Sequence, residues 1–343
     1  FPTRRSSDLL WADPVRYKRQ CWTRDLSLAM QPAAHLILGG IEAAERHLRS
    51  LARFQTSGGS IPILFLDGTR GHLDFLATKL WRTIRDRRLS FMLRRYLTGN
   101  LGRLTPGTTD SELHFARAVL MHEECGGSPQ VAIDLASHVD RAIVYIAKNL
   151  CDVRGLLLGA DWRDTMDEVL KHKALLSNNA MWYDVLLRSG RGYEASRVRN
   201  AVSGRMCGGL GDYDLSGAPD PLGLALGVLG GMFDSRTYSD VVALMRSVDS
   251  PCGVTILCKH NAYSAEEREV IERTGGVVVW PFVVGYAILA LRKIGTPEAL
   301  TLAGEQADKL RSIGCAEWYD PATGKGYGSP AQGWSASLRA QVL

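Results

Sequence analysis

The chain has 343 residues, 45% of them apolar, which is ample for one large core. Net charge is +5, with the densest basic run at 87–96 (RRLSFMLRRY); that run reads as a solvated helix face, and no nucleic-acid-binding module accompanies it. The seven cysteines are scattered without a CxxC, which excludes a disulfide framework and zinc-type spacing and favours a reducing, cytoplasmic setting. No apolar run reaches membrane-spanning length, so no membrane association is expected.

The first ten residues, FPTRRSSDLL, carry a basic pair with no apolar run after it. They are not a signal peptide. They resemble translated adapter sequence, so residues 1–10 are read as a non-native leader and 11–343 as a single domain, truncated at its N-terminus.

Helical periodicity dominates the rest. Cys21–Met30 (CWTRDLSLAM) places Trp22, Arg24 and Asp25 at the start of an apolar helix. An Arg–Asp pair beside a tryptophan can grip sugar hydroxyls or form a structural ion pair. A short strand-like stretch follows at 61–66 (IPILFL). At 105–115 (TPGTTDSELHF), Asp110 stands where a helix N-cap belongs; the alternative is a carboxylate that holds ring hydroxyls. The helix it opens, 111–124, is followed by another at 129–150 rich in Ala, Ile and Leu.

Residues 155–168 (GLLLGADWRDTMDE) pack Asp161, Asp164, Asp167 and Glu168 around Trp162. The plain reading is an acidic first turn favoured by the helix dipole. The chemical reading is a carboxyl group kept protonated by an aromatic wall, as a general acid requires. The next helix, 177–190, carries NNAMWY with Trp182. Residues 221–233 and 239–248 form a further pair. Strand-like 253–257 and 276–279 flank a short helix opened by a Ser264/Glu267 capping box.

Trp280 precedes an apolar helix over 281–294 closed by Gly295. Thr296-Pro297-Glu298 then starts an amphipathic one, with N-cap, N1 proline and an early acid. The chain ends on CAEWYDPATGKGYGSPAQGWSASL (315–338). There Glu317, Trp318, Tyr319, Tyr327 and Trp334 surround an Asp-Pro/Thr-Gly turn. One carboxylate among four aromatics suits a sugar subsite or an ordinary packed turn. The repeating unit is a loop, an inner buried helix, a turn and an outer amphipathic helix, about every 50–60 residues. A closed ring of such hairpins would gather the loops that precede the inner helices at one end.

WTRD, TTDSELHF, DWRD followed by SNNAMWY, DPLGLALGVLGG, and EWYDPATG with QGWSASL occur here in one order. That order resembles the six-hairpin glycosidases, above all the amylo-1,6-glucosidase domain of glycogen debranching enzymes, and covers Trp22 to Leu338. The resemblance implies an all-α (α/α)6 barrel and an inverting glycosidase without metal or organic cofactor. Debranching domains carry Trp-Met-Asp at the first block, with that Asp as general acid, and this puts the role on Asp164. Their general base precedes a Tyr-Asp and a Trp-Ser, and this puts it on Glu317. Arg163 replaces the usual Met and Asp161 stands in place of a Thr, so Asp161 is a rival acid; Asp110, central in the neutral invertases, is another. Trp22, Arg24, Asp25, Asp110, Trp162, Trp182, Trp280, Trp318, Tyr319 and Trp334 are then expected to bind a carbohydrate substrate. A neutral-invertase-like sucrose hydrolase is the alternative enzyme; a sugar epimerase or a non-catalytic carbohydrate-binding ring is the alternative of another class.

Overall fold

The computed structural model describes residues 9–12, 18–30, 41–86, 97, 110–159, 174–205, 219–258 and 264–343. Asp161, Trp162, Arg163 and Asp164 lie outside the described residues, as do the basic run at 87–96 and the first eight residues.

The described residues form thirteen helices: α1 (Thr23–Ala29), α2 (Ile41–Phe54), α3 (Gly68–Asp86), α4 (Ser111–Met121), α5 (Pro129–Asn149), α6 (Leu176–Arg188), α7 (Gly192–Arg205), α8 (Pro221–Leu229), α9 (Tyr238–Ser247), α10 (Ala265–Arg273), α11 (Pro281–Ile294), α12 (Pro297–Ser312) and α13 (Gly333–Val342). Four antiparallel two-stranded ribbons link them: β1 (Gln20–Trp22) with β2 (Leu64–Leu66), β3 (Asp249–Ser250) with β4 (Gly253–Val254), β5 (Ile256–Leu257) with β6 (Val277–Val278), and β7 (Trp318–Tyr319) with β8 (Gly326–Tyr327). None of the described helices is long and apolar enough to cross a membrane.

Burial separates the helices into two kinds. In α4, α6, α8 and α11 nearly every residue is buried; α8 and α11 are apolar all round, whereas α4 and α6 also bury polar side chains, among them Glu112, His114, Arg117, Asn178 and Asn179. In α5 only a stripe is buried, Val131, Leu135, Val139, Ala142, Ile143 and Ile146, and α12 buries one face through Leu302, Ala303, Gln306, Ala307 and Leu310. The enclosed helices pack in sequence: α1 on α4, α4 on α6, α6 on α8, α8 on α11, α11 on α13, and α13 back on α1. The amphipathic ones cover them from outside, α5 on α4, α7 on α6 and α12 on α11.

Local chemistry sets the boundaries. Thr296 Oγ1 accepts the Ala299 N–H at 3.3 Å ahead of Pro297, as the sequence predicts, and Gly295 closes α11 in the left-handed conformation. Ser264 and Glu267 make the predicted capping box at α10. α8 stops at Leu229, short of the expected 233, because Gly230 and Gly231 turn the chain and Met232 and Phe233 fold back with their amides on the Gly227 carbonyl. Far ends of the sequence meet where the cycle closes: Ser337 Oγ donates to the Ala29 carbonyl at 2.9 Å and Tyr286 Oη to the Leu28 carbonyl at 3.0 Å.

Candidate active site

The N-terminal ends of the enclosed helices lie together. Arg24 in the first turn of α1 reaches Asp110 at the head of α4, Nη2 to Oδ1 3.0 Å. Gly223 in the first turn of α8 lies against Leu176 and Ser177, which open α6. Trp280, the N-cap of α11, stands edge-on to Trp334 in the first turn of α13, ring centroids 5.9 Å apart. Gln332, the N-cap of α13, donates through Nε2 to Asp25 Oδ1 of α1 at 3.1 Å. Arg24 thus pairs with Asp110, 86 residues away, rather than with its neighbour Asp25.

Asp110 occupies the N-cap position of α4 without making a side-chain cap bond. Its carboxylate is fully buried, with His114 Nε2 3.6 Å from Oδ2. Burial alone would raise this carboxyl, but the Arg24 charge and the adjoining His114 outweigh it and hold Asp110 below its ordinary value. His114 is pushed down by burial and only partly restored by Asp110, so it is a neutral imidazole near pH 7. The group is an ion pair backed by a neutral histidine.

Glu317 lies just before β7 and is 3% exposed. Its Oε2 accepts the Ser329 N–H at 2.7 Å, while its own N–H goes to the Ser329 carbonyl at 2.7 Å. A second backbone fact fixes it. Gly328 has φ +78°, and a Cβ there would lie 2.5 Å from Glu317 Cβ and Oε2. Glu267, the capping-box acid of α10, accepts the Gly328 N–H at 3.2 Å. The β7–β8 hairpin is tied to the helix heads on both sides. Val279, one residue before the α11 cap, exchanges backbone hydrogen bonds with Tyr319, and the Gln332 N–H donates to the Cys315 carbonyl at 3.0 Å. Across its turn, Asp320 is pulled up by burial but held below its ordinary value by Thr323 and Arg273, the latter at 2.6 Å.

The aromatic residues singled out in the sequence are mostly packed against protein. Trp318, 1% exposed, stacks on Tyr327 at 4.7 Å. Trp334 stacks on Phe282 at 4.5 Å. Tyr319 Oη accepts the Ala316 N–H at 3.0 Å and braces the turn ahead of Glu317. Trp182 is buried and donates from Nε1 to the Gly155 carbonyl at 3.2 Å. Among the described ones, Trp22 and Tyr327 are half-exposed; Trp22 pairs with Leu64 across β1–β2 and donates to Gln20 Oε1 at 3.3 Å.

The block that carries Asp161, Trp162 and Asp164 lies outside the described residues, but both of its flanks adjoin the head of α6. Asn179 Oδ1 accepts the Leu157 N–H at 2.9 Å and its Nδ2 donates to the Leu157 and Leu175 carbonyls at 3.0 and 2.9 Å. Asn178 Nδ2 reaches the Gly159 carbonyl at 3.4 Å. These two asparagines, Ser329, Gly328 and Glu267 are the site residues that motif reading passed over. The paired Asn-Asn at a helix start and the Gly-Ser-Pro closing the hairpin were the available signals.

No family model matches the chain, and no curated protein matches it in sequence. Solved structures do match it. An uncharacterised conserved protein from Thermus thermophilus superposes with a TM-score of 0.64 at 13% identity, over 97% of this chain and 95% of that one. Solved glycosidases share this fold. A mannosylglycerate hydrolase of glycoside hydrolase family 63 from the same organism gives 0.63 at 13% identity over the same shares. A rhamnosidase from Klebsiella oxytoca with rhamnose bound gives 0.56 at 14% identity, over 96% of this chain and 59% of that one.

Proposed function

We propose that this chain is an inverting glycoside hydrolase built on a ring of helical hairpins, an (α/α)6 barrel, with Glu317 as general base and Asp164 as general acid. The observation that carries the reading is Glu317. It is a nearly buried carboxylate gripped by a backbone N–H, on a hairpin tied to the helix heads, in a fold that glycosidases share. A hydrogen bond from an N–H to a carboxylate is made best when that carboxylate is ionised, the state a general base needs.

The acid belongs to the segment between Gly159 and Ala174, whose flanks adjoin the head of α6. The debranching-type motif favours Asp164 over Asp161 within it. Asp110 is the poorer donor, because Arg24 holds its carboxyl ionised; a role in orienting the ring, shared with Arg24, Asp25 and Gln332, suits it better. In the reaction, protonated Asp164 gives its proton to the glycosidic oxygen as the bond to the anomeric carbon breaks. Glu317 takes a proton from a water that attacks that carbon from the opposite face. Inversion calls for carboxyl groups roughly 6.5–9.5 Å apart, with the water between. No cofactor enters these steps.

The motifs favour an α-glucosidic bond of the debranching type. The family 63 neighbour is named for mannosylglycerate and the more distant one for rhamnose, so the substrate panel must include both. The assay is sugar release from α-1,6- and α-1,4-glucans, sucrose, mannosylglycerate and an α-rhamnoside, with wild type and Glu317→Gln. Hydrolysis of one of them by wild type, abolished in the Gln variant while sugar binding and thermal unfolding are kept, supports the assignment. A Gln variant as active as wild type would falsify it. Binding without hydrolysis by wild type would favour a non-catalytic carbohydrate-binding ring.

A further inference from the structure

A cavity lies away from the candidate active site, against the C-terminal parts of the enclosed helices. Its volume is about 230 Å³. One wall is charged: Arg117 and Glu124 from α4 and its C-terminal extension, Asp184 and Arg188 from α6. The other is apolar, with Met181 and Leu226 among its residues. Neither Glu317 nor any helix head borders it.

The charged wall is built rather than incidental. Arg117 is 3% exposed, and its Nη1 donates to the Ser27 carbonyl at 2.9 Å. Its Nε makes no hydrogen bond: the nearest acceptor partner, Asp184 Oδ2, stands 3.7 Å away. Asp184 Oδ1 is already taken by Arg188 Nε at 2.7 Å, and Arg188 also pairs with the more exposed Glu124 at the mouth. Arg117 and Asp184 together line a space large enough for a monosaccharide.

Charge balance narrows the ligand. Two arginines face two carboxylates, so an anion or a cation would leave one charge in excess. A neutral polyhydroxy molecule would not. Its hydroxyls can accept from guanidinium and donate to carboxylate, and its C–H face can lie on Met181 and Leu226. We propose that this cavity is a second binding site, for a neutral hexose or polyol, held between Arg117 and Asp184. The inference rests on the cavity alone and not on hydrolysis at Glu317.

The test is amide hydrogen exchange on the full chain with glucose, and with gluconate as the charged control. Millimolar glucose is expected to slow exchange severalfold at residues 117–124 and 226–231, and gluconate much less. Leu229→Trp, a half-exposed rim position of the same cavity, should fill it. That variant should lose this protection while keeping any glucose effect at 315–334. Arg117→Lys, which keeps the charge and loses the planar fork, should weaken the far-end effect roughly tenfold. Absence of protection there with wild type, equal or stronger protection by gluconate, or protection unchanged in Leu229→Trp would each overturn the proposal.

Discussion

At Gly328 a single hydrogen atom decides where Glu317 points. Any side chain at this position meets the Glu317 carboxylate at 2.5 Å and must also hold a φ of +78°. Gly328→Ala should therefore shift the carboxylate by a large fraction of an ångström. The expected loss is about a hundredfold in kcat, with KM little changed, and stability should fall by about 1–2 kcal/mol from the left-handed backbone alone. Steady-state kinetics and thermal melts on the same preparation separate the two effects. Glu112 offers a second residue-scale test. It is fully buried and accepts the Ile61 N–H at 2.8 Å, and burial raises its carboxyl from 4.5 to about 7. A carboxyl whose folded value lies above its unfolded one favours the native state at low pH, and that contribution is lost as pH rises from 4.5 through 7. The stability advantage of Glu112→Gln over wild type should grow across that window, by roughly 3 kcal/mol at most, in urea titrations at several pH values. An advantage independent of pH would contradict this account of Glu112.

Helices were the most legible elements. Caps at Thr296 and Ser264, the closing Gly295, and the contrast between apolar α11 and striped α12 can be read from local residue types, and the structure places them accordingly. Partners were not legible. Arg24 beside Asp25 reads as a local pair, yet its partner is Asp110, brought near by the packing of α1 on α4. Trp318 and Trp334 read equally as sugar platforms or as packed side chains, and Trp182 as a sugar-binding residue, because composition does not tell which ring face meets another side chain. Gly285 shows what one packing partner can do at this scale. A Cβ there would lie 2.7 Å from Leu338 Cβ, at the contact of α11 with α13. Gly285→Ala must push these two helices apart, for a loss of about 1–3 kcal/mol in chemical denaturation. A variant as stable as wild type would mean that this contact yields without cost.

At the scale of the whole molecule, the described enclosed helices close on themselves. α13 returns to α1, and the hydrogen bonds Ser337–Ala29 and Gln332–Asp25 join positions about three hundred residues apart in sequence. Closure brings the heads of the enclosed helices together, and the Glu317 hairpin is fastened among them. The motifs made a mostly helical chain legible; the anchoring of Glu317 by Ser329 and Gly328 depends on tertiary contacts that no motif records. The proposed mechanism requires two carboxyl groups, Glu317 and Asp164, on either side of a water. The measurement that bears on it most directly is the anomeric configuration of the first sugar released, followed by proton NMR from the start of hydrolysis of whichever panel substrate is cut. An inverting hydrolase releases a product of inverted configuration that mutarotates only afterwards. A first product of retained configuration would contradict the proposed mechanism.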